Sequence, residues 1–116
     1  MEFASEKPIY RQIADYCCEC IVRGEWAEEG KAPSVRELSL ALTVNTRTVL
    51  SAYEILQVDN IIAPRRGMGY FVCADARDRI LEARRRDFFE NELPALRRRI
   101  SLLGISVAEL TDALNK

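Results

Sequence analysis

Two helix starts lie close together in the first half of the chain, and their spacing leaves few folds open. Ser34-Val35-Arg36-Glu37 is a capping box, in which the serine hydroxyl accepts from the amide of Glu37 and the carboxylate reaches back to the amide of Ser34. Asn45 is a favourable N-cap for a second helix, and Thr43-Val44 separates the two helices. Two short helices joined by a tight turn form a helix-turn-helix unit.

The residues after this unit predict a β-hairpin. Ile61-Ile62-Ala63 and Tyr70-Phe71-Val72-Cys73 are rich in β-branched and aromatic side chains, which indicates two strands. Between them lies Arg65-Arg66-Gly67-Met68-Gly69, whose two glycines give the turn the backbone freedom that a hairpin needs. A hairpin directly after a helix-turn-helix is a wing.

Apolar side chains recur at helical spacing in the segments before the wing. A helix from Pro8 to Gly24 carries one apolar stripe that includes Cys17 and Cys20. The helix after Ser34 is predicted to bury Val35, Leu38, Ala41 and Leu42. The helix after Asn45 is predicted to bury Val49, Ala52, Tyr53 and Leu56.

From residue 75 the chain is rich in arginine and leucine, and its pattern is helical to the end. Pro94 should kink or restart this helix, and Ser106-Val107-Ala108-Glu109 is a second capping box. An apolar seam at heptad spacing, with its apolar neighbours, predicts dimerisation through Phe88, Phe89, Leu93, Leu96, Ile100, Leu103 and Leu110. The predicted fold is mainly α with a small β-hairpin: an N-terminal winged helix-turn-helix over residues 1–74 and a C-terminal α-helical dimerisation extension over residues 75–116.

Composition is that of an ordinary globular protein. Apolar residues make up 48% and charged residues 30% of the 116 residues, which argues against wholesale disorder. No apolar run approaches the roughly 18 residues of a membrane span. The first residues, Met1–Lys7, lack the basic start and apolar stretch of a secretion signal. We therefore expect a cytoplasmic protein without membrane attachment.

The cysteines are expected to be reduced thiols, and no catalytic constellation accompanies them. Cys17 and Cys20 form a C-x-x-C, but the chain has no histidine and no second C-x-x-C pair, so core packing is favoured over zinc or redox chemistry. A phosphate-binding glycine loop and a nucleophile elbow are also absent. No enzyme activity, metal or cofactor is predicted, while a thiol-responsive regulator that uses Cys17, Cys18 or Cys20 stays open.

Four motifs follow one another in a fixed order. They are Lys7-Pro8-Ile9-Tyr10-Arg11-Gln12-Ile13, Pro33-Ser34-Val35-Arg36-Glu37-Leu38, Val44-Asn45-x-x-Thr48-Val49-x-x-Ala52-Tyr53 and Arg66-Gly67-x-Gly69-Tyr70-Phe71-Val72. Together they resemble the GntR family of bacterial regulators, and within it the short YtrA type, which carries a compact helical extension instead of a large effector-binding domain. The resemblance implies a repressor on the bacterial nucleoid that binds double-stranded DNA. The homodimer predicted from the apolar seam would be two-fold symmetric and would require a palindromic operator.

The helix-turn-helix geometry and the resemblance together indicate a DNA-binding face. The N-terminal residues of a recognition helix contact base edges in the major groove, and Arg47 can donate two hydrogen bonds to guanine, worth roughly 1–3 kcal/mol of discrimination. Arg36 is expected at the edge of the groove, and the wing arginines along the backbone or in the minor groove. The candidate DNA-binding residues are Ser34, Arg36, Thr46, Arg47, Thr48, Ser51, Arg65, Arg66, Gly67, Met68 and Gly69.

The net charge of −1 is unusual for a nucleic-acid binder. Leu50, Ser51 and Met68 stand where the resembled family often has basic residues, and the arginine runs at 84–86 and 97–99 are interpreted as a solvated face rather than DNA contacts. A winged-helix module for protein–protein assembly, with weakened DNA binding, therefore stays open as an alternative. Any small-molecule effector stays unidentified, since the short extension leaves little room for a dedicated pocket.

Overall fold

The computed structural model describes residues 7–116. Residues 1–6, which carry part of the argument against a secretion signal, lie outside the described residues. The elements are, in chain order, α1 (Ile9–Val22), α2 (Val35–Leu42), α3 (Thr46–Val58), β1 (Ile62–Arg65), β2 (Gly69–Val72), α4 (Ala76–Asp87), a π-helical turn (Phe88–Glu92), α5 (Leu93–Leu102) and α6 (Val107–Leu114). The prediction of a mainly α chain with a small hairpin is confirmed.

The predicted N-caps start their helices as expected. In the capping box of α2, the amide of Glu37 donates to Ser34 Oγ at 3.0 Å, and the amide of Ser34 donates to Glu37 Oε1 at 3.0 Å. Asn45 Oδ1 accepts from the amide of Arg47 at 2.8 Å at the start of α3. Ser106 forms the second complete capping box at α6. Local side-chain chemistry therefore fixes where these three helices begin.

The first compact unit, which ends at Leu81, builds its core from α1, α3 and the hairpin. The stripe predicted for α3 is buried as expected, and it consists of Val49, Ala52, Tyr53 and Leu56. The prediction for Ala41 in α2 is wrong, because Ala41 is exposed and Ser39 is buried instead. Ser39 tolerates burial because its hydroxyl donates to the carbonyl of Arg36 at 2.8 Å.

The wing is an antiparallel hairpin that runs in register from Ile62 opposite Val72 to Arg65 opposite Gly69. β1 extends further than the predicted 61–63, since it continues through Pro64 to Arg65. Proline is compatible with this position because β1 is an edge strand. The turn is correspondingly shorter than predicted, and the tip consists of residues 66–68.

Part of the loop before α2 lies along the other edge of β2. Lys31 forms an antiparallel bridge with Phe71, and the amide of Ala32 donates to the carbonyl of Tyr70 at 2.9 Å. β2 is therefore flanked by an extended segment on each side.

The first turns of α4 belong to the first unit. Ala76 and Ile80 are buried in its core. Arg77 Nε donates to the carbonyl of Val22, the last residue of α1, at 3.0 Å, and Arg79 donates to two loop carbonyls. These two arginines satisfy backbone carbonyls that would otherwise lack a partner from helix or sheet.

The second compact unit, Glu82–Lys116, contains the end of α4, the π-helical turn, α5 and α6. α5 begins at Leu93 with Pro94 in its first turn, so the predicted restart is confirmed. The interruption is a π-helical turn in which the amide of Leu93 donates to the carbonyl of Phe88, five residues back. Phe88 and Leu93 therefore lie one π-helical turn apart along the helix axis. Among residues 7–116, no helix is long and apolar enough to cross a bilayer.

Candidate nucleic-acid interface

The first turn of α3 presents two of the predicted base-reading side chains to solvent. Thr46 and Arg47 are exposed, whereas Thr48 and Ser51 are partly buried. The Arg47 side chain forms no ion pair with any residue in the described range 7–116. Its guanidinium donors are therefore not occupied by a carboxylate, and they point from the exposed side of a helix whose other side is core.

A groove between α2 and α3 lies beside these side chains, lined by Val35, Thr46, Arg47, Leu50, Ser51 and Glu54. Leu50 contributes an exposed apolar surface, which can contact a thymine methyl group, and Glu54 contributes a carboxylate, which can accept from the amino group of cytosine. The groove thus combines a hydrogen-bond donor, an acceptor and an apolar contact within one short stretch of α3.

The start of α2 is held in a defined position beside α3. Arg36 is exposed in the first turn of α2, while Ser34 is engaged in the capping box and its amide holds the pKa of Glu37 below its usual value. The hydroxyl of Tyr53, in the middle of α3, donates to the carbonyl of Pro33 at 2.6 Å. This bond ties the residue before the cap of α2 directly to α3.

The wing carries two adjacent arginines in different settings. Arg65 lies over the ring of Phe71, with 3.9 Å between its Cζ and the ring centroid, and this cation–π contact orders the guanidinium. Arg66 is exposed at the tip beside Gly67. Gly67 and Gly69 have φ values of 73° and 89°, in the left-handed region that favours glycine. The tip is therefore a tight turn with one ordered and one exposed cation.

Local charge distinguishes this surface from the chain as a whole. The ion pairs among residues 7–116 join Lys7 to Asp15, Arg23 to Glu25 and Arg86 to Glu82. None of them involves a candidate DNA-binding arginine, although Met68 adds an exposed apolar side chain at the wing tip. The net charge of −1 is therefore compatible with a surface that presents several cations without carboxylate partners. Those cations are Arg36, Arg47, Arg65 and Arg66.

The segment that carries these residues matches a known family along its whole length. The profile described as "Bacterial regulatory proteins, gntR family" matches residues 9–72, from the start of α1 to the end of β2. The chain belongs to the GntR family. The resemblance carried by the four sequence motifs is thereby confirmed, and the chain is a DNA-binding transcriptional regulator and not an enzyme, as predicted.

Relatives and solved structures of GntR regulators are similar to this chain over most of its length. It is 31% identical over 115 residues to the HTH-type transcriptional regulator YhcF of Bacillus subtilis (strain 168), covering 97% of this chain and 92% of YhcF. It is 35% identical over 80 residues to the HTH-type transcriptional repressor YtrA of the same strain, covering 69% of this chain and 62% of YtrA. A GntR-family regulator from Bacteroides thetaiotaomicron has a TM-score of 0.79 at 38% identity, covering 93% of this chain and 94% of that one. The DNA-binding domain of AraR, solved in complex with operator ORR3, has a TM-score of 0.55 at 25% identity, covering 63% of this chain and 90% of that one.

One cation near the wing of this GntR chain was missed by the sequence reasoning. Lys31 is exposed, and its Cε lies 3.4 Å from the position that a Cβ on Gly69 would take. The loop that contains Lys31 has no strand periodicity, so nothing in the sequence pairs it with β2. The only local signal in the sequence is a single step from the charged Lys31 to the apolar Ala32, which the structure exposes and buries respectively.

The residues predicted for GntR dimerisation are incompletely covered within one chain. Phe88, Phe89, Leu96 and Leu103 are exposed, and Leu93, Ile100 and Leu110 are partly buried. The rings of Phe88 and Phe89 pack edge to face, with centroids 5.3 Å apart. Residues 82–116 are all described by the structure, and none of them is buried. Within a single chain, residues 82–116 therefore form no hydrophobic core that is shielded from solvent.

The two cysteines of the C-x-x-C in this GntR chain are buried, as the core-packing interpretation expects. Cys17 and Cys20 are buried, and Cys18 and Cys73 are partly buried. Burial raises the pKa of the Cys17 thiol, which favours the unreactive protonated form. Within residues 7–116, no group of three histidine, cysteine or acidic residues is placed to hold a metal ion. A thiol-responsive mechanism would therefore have to act through Cys18 or Cys73.

Proposed function

We propose that this GntR regulator acts in the cytoplasm as a repressor that binds a palindromic operator as a homodimer, with residues 1–74 reading DNA and residues 75–116 dimerising. The observation that carries the proposal is the start of α3, where Thr46 and Arg47 are exposed on a helix anchored in the core. The similarity to AraR, which was solved with an operator, and to YtrA, which is named a repressor, supports it.

In this proposal, the first turn of α3 enters the major groove and Arg47 donates two hydrogen bonds to a guanine. Thr46 would contact a phosphate or a thymine methyl group. Thr48 and Ser51, which are partly buried, have less surface to offer and contribute less. Loss of the Arg47 contact would cost roughly 1–3 kcal/mol, or about 5- to 150-fold in preference for the operator.

The other candidate residues position the protein rather than read the sequence. Arg36, with Ser34 at the start of α2, would contact a phosphate at the edge of the groove. Arg65 and Arg66 would follow the backbone or enter a narrow minor groove, where negative potential attracts arginine. Gly67 and Gly69 would let the chain approach the DNA closely, and Met68 is an exposed candidate at the same wing tip.

The homodimer is supported by the apolar surface of the second unit. Leu103 is 65% exposed and Phe89 55% exposed in one chain, and a second copy is the partner that a two-fold operator requires. Leu96→Glu should therefore give a monomer in size-exclusion chromatography with light scattering. Leu40→Glu is the matched control, because Leu40 is an exposed leucine of α2 outside this surface. An unchanged dimer in the Leu96 variant would contradict this part of the proposal.

DNA reading is tested by fluorescence anisotropy with labelled duplex from upstream of the gene and with a scrambled duplex, across salt concentrations. We expect selective binding with a steep salt dependence, and reduced selectivity for Arg47→Ala. Arg98→Ala is the control, since Arg98 is an exposed arginine of α5 outside the proposed DNA face. Equal and weak binding of both duplexes by an intact dimer would favour the protein–protein assembly module, which the net charge of −1 supports.

A further inference from the structure

The outer face of the wing carries a second cation that the hairpin sequence does not contain. In an antiparallel ladder, directly opposite residues share a face and alternate residues along a strand share it too. Arg65 is opposite Gly69 across one edge of β2, and Lys31 is opposite Phe71 across the other edge. Lys31, Phe71, Gly69 and Arg65 therefore share one face. The opposite face is core, since it carries Val72, which is buried.

Backbone and side-chain contacts hold both cations on that face. Arg65 is ordered by the ring of Phe71 at 3.9 Å. The stem of Lys31 lies over Gly69, with 3.4 Å between Cε and the position of a Cβ there. A larger residue at position 69 would therefore press on the lysine stem. Gly69 therefore permits the left-handed backbone of the turn and leaves room for the Lys31 stem.

The ammonium group of Lys31 has no carboxylate partner within the part of the chain that the structure describes. Its charge nevertheless contributes a small part of the lowering of the pKa of Glu37, in the capping box of α2. Lys31 therefore lies between the wing and the start of α2, where Arg36 is exposed. Lys31 is three residues before the N-cap of α2 and is bridged to β2, so it connects the helix that carries Arg36 with the strand pair that carries Arg65.

We infer that Lys31 binds a phosphate of the DNA backbone and joins the wing contacts to those of α2. The inference rests on the proposed function, because it names a contact of the same DNA face. An ammonium group is a compact charge with three donors and suits a single phosphate oxygen. A phosphate contact adds affinity without reading the sequence, so Lys31 should strengthen binding to operator and non-operator DNA alike.

The salt dependence of binding gives this contact a measurable size. Each phosphate contact contributes about −0.9 to the slope of log K against log salt. Loss of one contact should reduce the magnitude of the slope by about 0.9. When salt is raised from 50 to 200 mM, the factor by which affinity falls should therefore be about 3.5-fold smaller for the variant than for the wild type. The ratio of operator to scrambled affinity should not change.

The test compares full-length wild type, Lys31→Gln, Lys31→Arg and Lys116→Gln by anisotropy with the operator and scrambled duplexes. Lys116→Gln is the matched control because it removes one exposed lysine charge at the far end of the chain. We expect the reduced slope only in Lys31→Gln, with the wild-type slope kept by Lys31→Arg. Equal thermal unfolding midpoints will show that the variants are folded.

Two results would overturn the inference while leaving the proposed function intact. One is a wild-type slope in Lys31→Gln, and the other is the same reduction in Lys116→Gln, which would indicate a general charge effect. Failure of the proposed function looks different, because the wild type itself would then show no preference for the operator.

Discussion

The hydroxyl of Tyr53 links α3 to the residue that precedes the N-cap of α2. It donates to the carbonyl of Pro33 at 2.6 Å, and the tyrosine ring is completely buried. Tyr53→Phe removes this hydrogen bond but keeps the ring, including its edge contact with Tyr70 at 5.0 Å between centroids. The variant therefore isolates the bond from the packing around it.

The expected loss of stability follows from the lost hydrogen bond and from the Pro33 carbonyl, which the substitution leaves without this donor. A typical hydrogen bond contributes about 0.5–1.5 kcal/mol net, and a partly buried carbonyl left without a donor adds to the loss, so we expect about 1–2 kcal/mol. For a domain of this size, that loss lowers the unfolding midpoint by about 5–10 °C. No cavity term applies, since the volume of the ring is unchanged.

Urea unfolding followed by circular dichroism measures this loss, at one protein concentration because association of two chains, as proposed above, would change the apparent stability. Tyr10→Phe is the matched control, since Tyr10 is a partly buried tyrosine of α1 whose hydroxyl lacks a hydrogen bond to the described residues. A Tyr53→Phe variant as stable as the Tyr10→Phe variant would refute the reasoning, because the bond at Pro33 would then contribute nothing.

Two further predictions concern a helix cap and the pH dependence of stability. Ser34→Ala should lower the free energy of unfolding by about 1 kcal/mol through loss of the cap, and the pKa of Glu37 in the folded state should rise only part of the way to its usual value, because the amide of residue 34 still donates while the hydroxyl is lost. NMR titration measures this pKa, and an unchanged value would show that the hydroxyl does not contribute to lowering it. Burial raises the pKa values of Cys17 and Tyr53 in the folded protein, so their contribution to stability is complete below about pH 8.5 and is lost as the pH rises. Urea unfolding between pH 8 and pH 11 should show this decline, and a flat profile would contradict it.

Much of the fold could be predicted because its signals are local. The caps Ser34, Asn45 and Ser106 act within three residues, so the sequence contains both partners of each bond. The buried stripe of α3 was predicted correctly because an apolar face at helical spacing has one way to be buried. Pro94 likewise predicts that a new helix begins close to it, because proline lacks the amide that the interior of an α-helix needs.

The features that sequence reasoning missed depend on contacts between distant residues. Lys31 joins the wing only because the folded chain brings its loop to the free edge of β2, and no periodicity marks that pairing. Ser39 is buried in place of the apolar Ala41 because its hydroxyl finds a carbonyl in the preceding turn. Arg77 belongs to an arginine-rich segment yet serves the end of α1.

The candidate DNA face could be assigned to elements from the sequence, but its charge balance could not. A net charge of −1 is unusual for a nucleic-acid binder, and the sequence does not show which arginines are paired with carboxylates. The ion pairs of the described residues lie elsewhere, and Arg36, Arg47 and Arg66 take no part in them. The structure therefore shows which arginines lack a carboxylate partner among the described residues, which the net charge alone does not show.

The reading of DNA by α3 in a two-fold dimer is tested most directly by selecting bound duplexes from a random pool and sequencing them. We expect enrichment of two inverted half-sites with centres about 10 base pairs, or a multiple of that, apart. We also expect one conserved guanine in each half-site that loses its enrichment with Arg47→Ala. A pool that shows no enrichment, or a single site without two-fold symmetry, would contradict the account.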